Sequence, residues 1–136
     1  MKRFQLIEHT ADVGLIAYGR NLAEAFANAA YGLFSIIAEL RSVKETESRT
    51  LEIREDDAEG LLFEWLNSLI YIFDVEMLLF RRFDIIEFDG RGLKAKCYGE
   101  KYDPLRHHLK IGVKAATYHM LKVDQDKNRV QVIFDV

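Results

Sequence analysis

Apolar residues open the chain in two short runs, Phe4-Gln5-Leu6-Ile7 and Val13-Gly14-Leu15-Ile16-Ala17-Tyr18. The polar stretch Glu8-His9-Thr10-Ala11-Asp12 parts them, which predicts two strands around a turn. Asn21, with Glu24 three residues on, has the form of a capping box. The helix it starts carries Leu22, Phe26, Ala29, Leu33 and Ile36 at helical spacing, and Ala25, Ala30 and Ile37 widen the stripe. Its expected end is near Glu39, ahead of the polar run from Arg41 to Ser48.

Arg49-Thr50-Leu51-Glu52-Ile53-Arg54 alternates as a strand does. Asp56 and Glu59 offer a second capping box, leading into a helix with Leu62, Trp65, Leu66, Leu69 and Phe73 on one side. From Met77 the period turns strand-like through Phe88. Asp89-Gly90-Arg91-Gly92 reads as a turn, and Leu93 to Gly99 alternates on the return. Glu100 to Lys110, with Pro104, reads as a polar loop. Strands over Thr117–Val123 and Val130–Phe134 flank a turn at 124–128. The expected architecture is α+β: a single domain over 1–136, a two-layer sandwich of two main helices on one mixed, largely antiparallel sheet, with hairpins in the C-terminal half.

Length and composition narrow the function. At 136 residues and 49% hydrophobic content the chain can bury a core, and 30% charged residues do not make it a disordered tail. A net charge of -3 is unlike a duplex-wrapping protein, although a local basic patch on such a chain can still meet RNA. The single cysteine, Cys97, rules out an internal disulfide framework and reads as a core residue of its strand. Neither a targeting signal nor a membrane-length apolar run is evident, so the cytoplasm is the expected compartment.

Three polar groupings offer chemistry. In Glu8–Asp12, Asp12 is a hard oxygen donor suited to Ca²⁺ or Mg²⁺, or else a turn residue satisfying backbone amides. In the second, Glu100, Asp103 and His107 precede Lys110, Lys114 and His119. The spacing of its histidines does not suit zinc, and a mixed surface meeting a partner or a phosphate fits better. In the third, Asp135 and Val136 end an apolar strand; they either finish in solvent or converge with Asp12 on a cation. Phosphate-binding glycine loops, zinc-deaminase spacing and a nucleophile elbow are missing. Two other classes stay open: a metal-dependent phosphohydrolase with His9 or His107 as base, and a stand-alone RNA- or protein-binding, chaperone-like module.

The chain also resembles the archease family. The resemblance is carried by Glu8 to Leu15, by Glu24 to Ala30, and by Trp65-Leu66-Asn67-Ser68-Leu69 with Phe73-Asp74. It continues through Gly99-Glu100, Asp103, His107, the run Val113 to His119 and the ending Phe134-Asp135-Val136. The resemblance implies a non-catalytic accessory protein of the RtcB-type RNA ligase in tRNA splicing and RNA repair, meeting tRNA through the ligase. It implies help in forming the ligase–guanylate adduct from GTP and in multiple turnover. It further implies a divalent-metal site, Ca²⁺ first with Mg²⁺ and Mn²⁺ as alternatives, on Asp12, Asp135 and an oxygen of Val136, with Lys114 as a functional lysine. His9, Glu100, Asp103, His107 and His119 are expected as surface or supporting members of the same region.

Overall fold

Short links between complementary apolar faces set the chain's path. The structure, a computed structural model, describes all residues except 10 and 11, and describes residues 8 and 9 by their backbone alone. In chain order come β1 (Phe4–His9), β2 (Asp12–Tyr18), α1 (Leu22–Ile37), β3 (Glu47–Arg54) and α2 (Ala58–Glu76), followed by β4 (Leu78–Phe88), β5 (Gly92–Lys101), β6 (Ala115–Asp124) and β7 (Arg129–Asp135). The α+β class holds, with two helices packed on antiparallel sheets. The expected single mixed sheet is instead two sheets, ordered β1-β2-β7-β6 and β3-β5-β4, and every strand pairing is antiparallel. Hairpin-length turns allow β1-β2, β4-β5 and β6-β7 to pair directly, whereas a parallel neighbour would need a crossover.

Helix α1 packs on β2 of one sheet and β4 of the other, and α2 covers β6. The broad apolar stripe read on α1 has this cause: Ala25, Phe26, Ala29, Ala30, Leu33 and Phe34 are all fully buried because the helix faces two sheets. Phe34 meets Phe80 edge-on at 5.7 Å between ring centres, and Trp65 meets Phe83 the same way at 6.2 Å. The one polar atom of the Trp65 ring donates from Nε1 to the Phe26 carbonyl at 3.0 Å, tying α2 to α1. Cys97 is fully buried, and burial pushes its thiol up to about 12, which leaves no thiolate for chemistry.

The caps show where local reading succeeds and slips. Asn21 accepts from the Glu24 N–H at 2.8 Å, as expected. The Glu24 carboxylate reaches back one residue further than a capping box requires, to the Arg20 N–H at 2.9 Å, and also pairs with the Arg20 guanidinium. For α2 the cap is Asp57 rather than Asp56. Asp57 has the extended backbone of a cap and accepts from the Gly60 N–H at 2.7 Å. Adjacent aspartates offer the same chemistry, and sequence spacing alone favoured the wrong one. Helix α2 ends on Met77 in the left-handed region at φ 57°, a conformation that costs a side-chain-bearing residue about 1 kcal/mol. Met77→Gly should raise stability by about 0.5–1 kcal/mol in urea unfolding, with an unchanged m value; a loss would mean the Met77 side chain is worth more than its strain.

Among the described residues no helix is long and apolar enough to cross a membrane.

Candidate functional site

Strand register brings the separated sequence groupings together. His9 on β1 pairs with Asp12 on β2, Asp12 pairs with Asp135 on β7, and Asp135 pairs with Ala115 on β6. One row across the four-stranded sheet therefore carries both aspartates and ends beside Lys114, whose N–H donates to the Asp135 carbonyl at 2.8 Å. Asp12 is the first residue of β2 rather than a loop residue. Residues directly opposite on antiparallel strands project to the same face with β-carbons about 4.5–5.5 Å apart. Two carboxylates so placed repel, and a cation between them removes that cost.

Packing beneath the row is tight. A β-carbon on Gly14 would lie 3.0 Å from both Ile133 Cδ1 and Ile7 Cβ, so any larger residue would press on both neighbouring strands. Phe134 is fully buried and Val136 packs against the core, leaving Asp135 exposed between two anchored residues. Val113 is buried and fixes the backbone of exposed Lys114 in the same way.

Asn67 is a functional-site support that sequence reading passed over. Its side-chain amide donates to the Ala116 carbonyl at 3.2 Å and accepts from the Ala116 N–H at 2.9 Å, clamping the start of β6 to α2. The available signal was a lone asparagine between Leu66 and Leu69 on an apolar helix. Asn67→Ala leaves both backbone groups of Ala116 unpaired. It should cost about 1–2 kcal/mol in chemical unfolding, and a cost near zero would show that the clamp is redundant.

The grouping from Glu100 to His107 does something different from what its composition suggested. Glu100 and His107 are buried, not surface residues. Glu100 takes a two-pronged pair from Arg106 at 2.7 and 3.1 Å and accepts from the Lys44 N–H at 2.7 Å. His107 Nδ1 accepts from the Asp103 N–H at 2.8 Å, which places the single ring proton on Nε2, donating to Glu100 Oε2 at 2.8 Å. Asp103 is half-buried; its side chain accepts from the Leu105 N–H and lies 3.4 Å from Arg106 Nε. Chiefly through the Arg106 pair, with help from the Lys44 and His107 hydrogen bonds, the Glu100 carboxyl is held down to about 2. At the next residue back, a β-carbon on Gly99 would collide with the Leu79 carbonyl, so glycine is required where β4 bulges past β5. The network holds the first half of the loop between β5 and β6. The second half is tied to the end of α1 by Lys110 N–H to the Ile37 carbonyl at 2.7 Å and Glu39 N–H to the His108 carbonyl at 3.0 Å. These residues position the segment that delivers Lys114 to the aspartate row.

His119 is exposed on β6, in the stretch between Thr117 and Lys122 where register with β7 shifts. Thr10 and Ala11, and the side chain of His9, lie outside the described residues.

Residues 4–136 match the model of the Archease protein family (MTH1598/TM1083). This chain belongs to the archease family. It is 41% identical to Protein archease of Sulfurisphaera tokodaii, covering 100% of this chain and 99% of that one. It is 45% identical to Protein archease of Pyrococcus abyssi, over 92% of this chain and 90% of the relative. Among solved structures, the solution structure of Methanobacterium thermoautotrophicum protein 1598 superposes with a TM-score of 0.83 at 36% identity, covering 100% of both chains. An archease from Thermotoga maritima, described as a possible chaperone, shares the fold with a TM-score of 0.64 at 23% identity, over 96% of this chain and 94% of that one. In the archease fold seen here, the blocks that carried the resemblance are neighbours. The first and last flank each other as β2 and β7, the block from Val113 enters β6 beside them, and the block from Trp65 clamps that strand from α2.

Proposed function

We propose that this archease-family chain is a non-catalytic accessory of an RtcB-type RNA ligase in tRNA splicing and RNA repair in the cytoplasm. In this reading it promotes guanylylation of the ligase by GTP and repeated turnover. The observation that supports it is the pairing of Asp12 with Asp135 across β2 and β7, one step from Lys114.

The donor chemistry fits a hard divalent cation, Ca²⁺ before Mg²⁺ or Mn²⁺. Both side chains are carboxylates, and a Ca²⁺ shell of oxygen donors is completed by main-chain carbonyls and water. The two side-chain donors of this reading are Asp12 and Asp135, with an oxygen of Val136 beside them. A bound cation neutralises the pair and adds a positive centre to the row. Asp12 and Asp135 hold it, Phe134 and Val136 anchor the strand that presents Asp135, and exposed Lys114 offers an ammonium to a phosphate of the ligase–nucleotide complex.

The test is guanylylation of a cognate RtcB-type ligase with GTP and divalent metal, with this protein substoichiometric. Adduct formation should accelerate at least tenfold and sustain several turnovers, and Lys114→Ala should lose most of the effect. An unchanged rate with a competent ligase would sink the reading and favour the chaperone role suggested for the Thermotoga maritima relative.

A further inference from the structure

A groove on a different face from the aspartate row has a chemistry of its own. It runs along α1 from Glu24 to Tyr31, a stretch of about 10 Å, and has two lobes of about 470 and 290 Å³ that share Arg3, Glu24 and Asn28. Six basic side chains line it: Lys2, Arg3, Arg20, Arg41, Arg81 and Arg82. Opposing them are Glu24, Glu45 and Asp84 in the lining and Glu39 beside Arg41, in a chain with 19 basic and 22 acidic residues overall. The positive charge is therefore concentrated here against the sign of the whole molecule.

Arg3 is held by two neighbours. Its Nε donates to Asn28 Oδ1 at 3.1 Å, and its guanidinium lies 3.6 Å from the centre of the Tyr31 ring. Asn28 is buried and is itself fixed by donating to the Tyr18 carbonyl at 2.7 Å. Among the described residues no carboxylate is within ion-pair distance of Arg3, so its guanidinium, held through Nε and against the Tyr31 ring, is ordered without an anionic partner. At the far lobe, Arg41 stands 89% exposed, held only through Nε by Glu39 at 3.2 Å. Arg82 pairs with Glu45 and Asp84 and lies 3.7 Å from the centre of the Tyr98 ring, and Arg81 is held by the Val43 carbonyl at 2.8 Å and by Glu45 at 3.5 Å.

We propose that this groove binds the phosphodiester backbone of a single-stranded nucleic acid without reading its bases. Guanidinium groups match phosphate oxygens in pairs, and several basic side chains gathered in one groove suit a repeating anion. The rings of Tyr31 and Tyr98 are covered by arginines, so they do not serve as stacking platforms for bases. An acidic protein segment would also want apolar anchors, and apart from Met1 no exposed large hydrophobic residue lines the groove. The proposal does not rest on the ligase reading, since its test contains no ligase.

Fluorescence anisotropy of a labelled short oligouridylate, titrated with the whole protein at about 50–200 mM KCl, decides it. Binding should weaken with salt, and unlabelled oligocytidylate and oligothymidylate should compete as well as oligouridylate. Arg3→Gln with Arg41→Gln should weaken affinity about tenfold and make the log–log salt slope shallower by about 0.7 for each arginine. Arg41→Gln alone, at a position with no packing role, should give half of that change in slope. Lys94→Gln with Lys122→Gln, on strands β5 and β6 outside the groove, should change nothing. No binding at the lowest salt, an unaffected double variant, or equal competition by polyglutamate would overturn the proposal, the last in favour of an acidic protein partner.

Discussion

Saturating Ca²⁺ should raise the unfolding temperature of this protein by about 10 °C relative to chelator, and Asp135→Asn should abolish the rise. The reasoning is linkage: a cation bound only by the folded state at a hundredfold excess over its dissociation constant adds about 2.7 kcal/mol, and each kcal/mol moves the midpoint of a domain this size by about 3–5 °C. The unfolded chain does not bring residues 12 and 135 together, whereas the folded chain pairs them across two adjacent strands. Asparagine keeps the shape of the side chain while removing the charge and its repulsion, so the variant in chelator should unfold at or slightly above the temperature of the unsubstituted protein. Asp12→Asn should behave alike, because either carboxylate alone is a weak site for a hard divalent ion. Differential scanning fluorimetry with Ca²⁺, Mg²⁺ and Mn²⁺ in turn ranks the metals in the same experiment. An equal rise in the unsubstituted protein and both variants would place the cation elsewhere.

The second large effect concerns Glu100. Glu100→Gln should cost about 2–3 kcal/mol at neutral pH, the discounted value of a buried carboxylate whose partner Arg106 is partly in water. The cost should also depend on pH in a defined direction. The folded carboxyl sits at about 2 against an ordinary 4.5, so the folded state holds this proton less tightly than the unfolded state. Its contribution is complete above pH 4.5 and disappears as pH falls from 4.5 towards 2. The gap between the two proteins should therefore close on acidification. Asp89, also held at about 2 by Arg54 and two backbone amides, titrates equally in both and cancels from the difference. Urea unfolding at several pH values reads the gap directly; a difference that stays constant from pH 7 to pH 2 would show that the Arg106 and Lys44 contacts do not set the stability of this loop.

Much of the architecture was legible because it rests on local periodicity. The stripe from Leu22 to Ile37 and the alternation from Leu93 to Gly99 each dictate one element and one buried face. The division into two sheets was not legible, because nothing local in β5 says that its partners are β3 and β4 rather than β7. That choice is made by α1, which inserts Phe34 against Phe80 while also covering β2. At the site, residue types pointed to Asp12 and Asp135 as hard donors, but only register places them opposite each other. For Glu100 and His107 the same types misled: a carboxylate and an imidazole look like surface chemistry until the Lys44 amide and Arg106 are seen to consume them. Asn67 escaped because its work is done on the backbone of a residue 49 positions away.

The Asn67 clamp has a further consequence for how copies of this protein behave towards one another. Strand β6 ends its sheet, and an exposed strand margin is a template on which another chain can continue the ladder. At Ala116 the side-chain amide already occupies the two groups that an incoming strand would seek, imitating one rung of a ladder without admitting a second molecule. Further along, left-handed Met120 and the slipped register before Lys122 bend the margin out of straight extension. The protein thus shuts one open side of its larger sheet with an amide and a kink, so that a concentrated solution has no straight seam there from which fibrillar association can start.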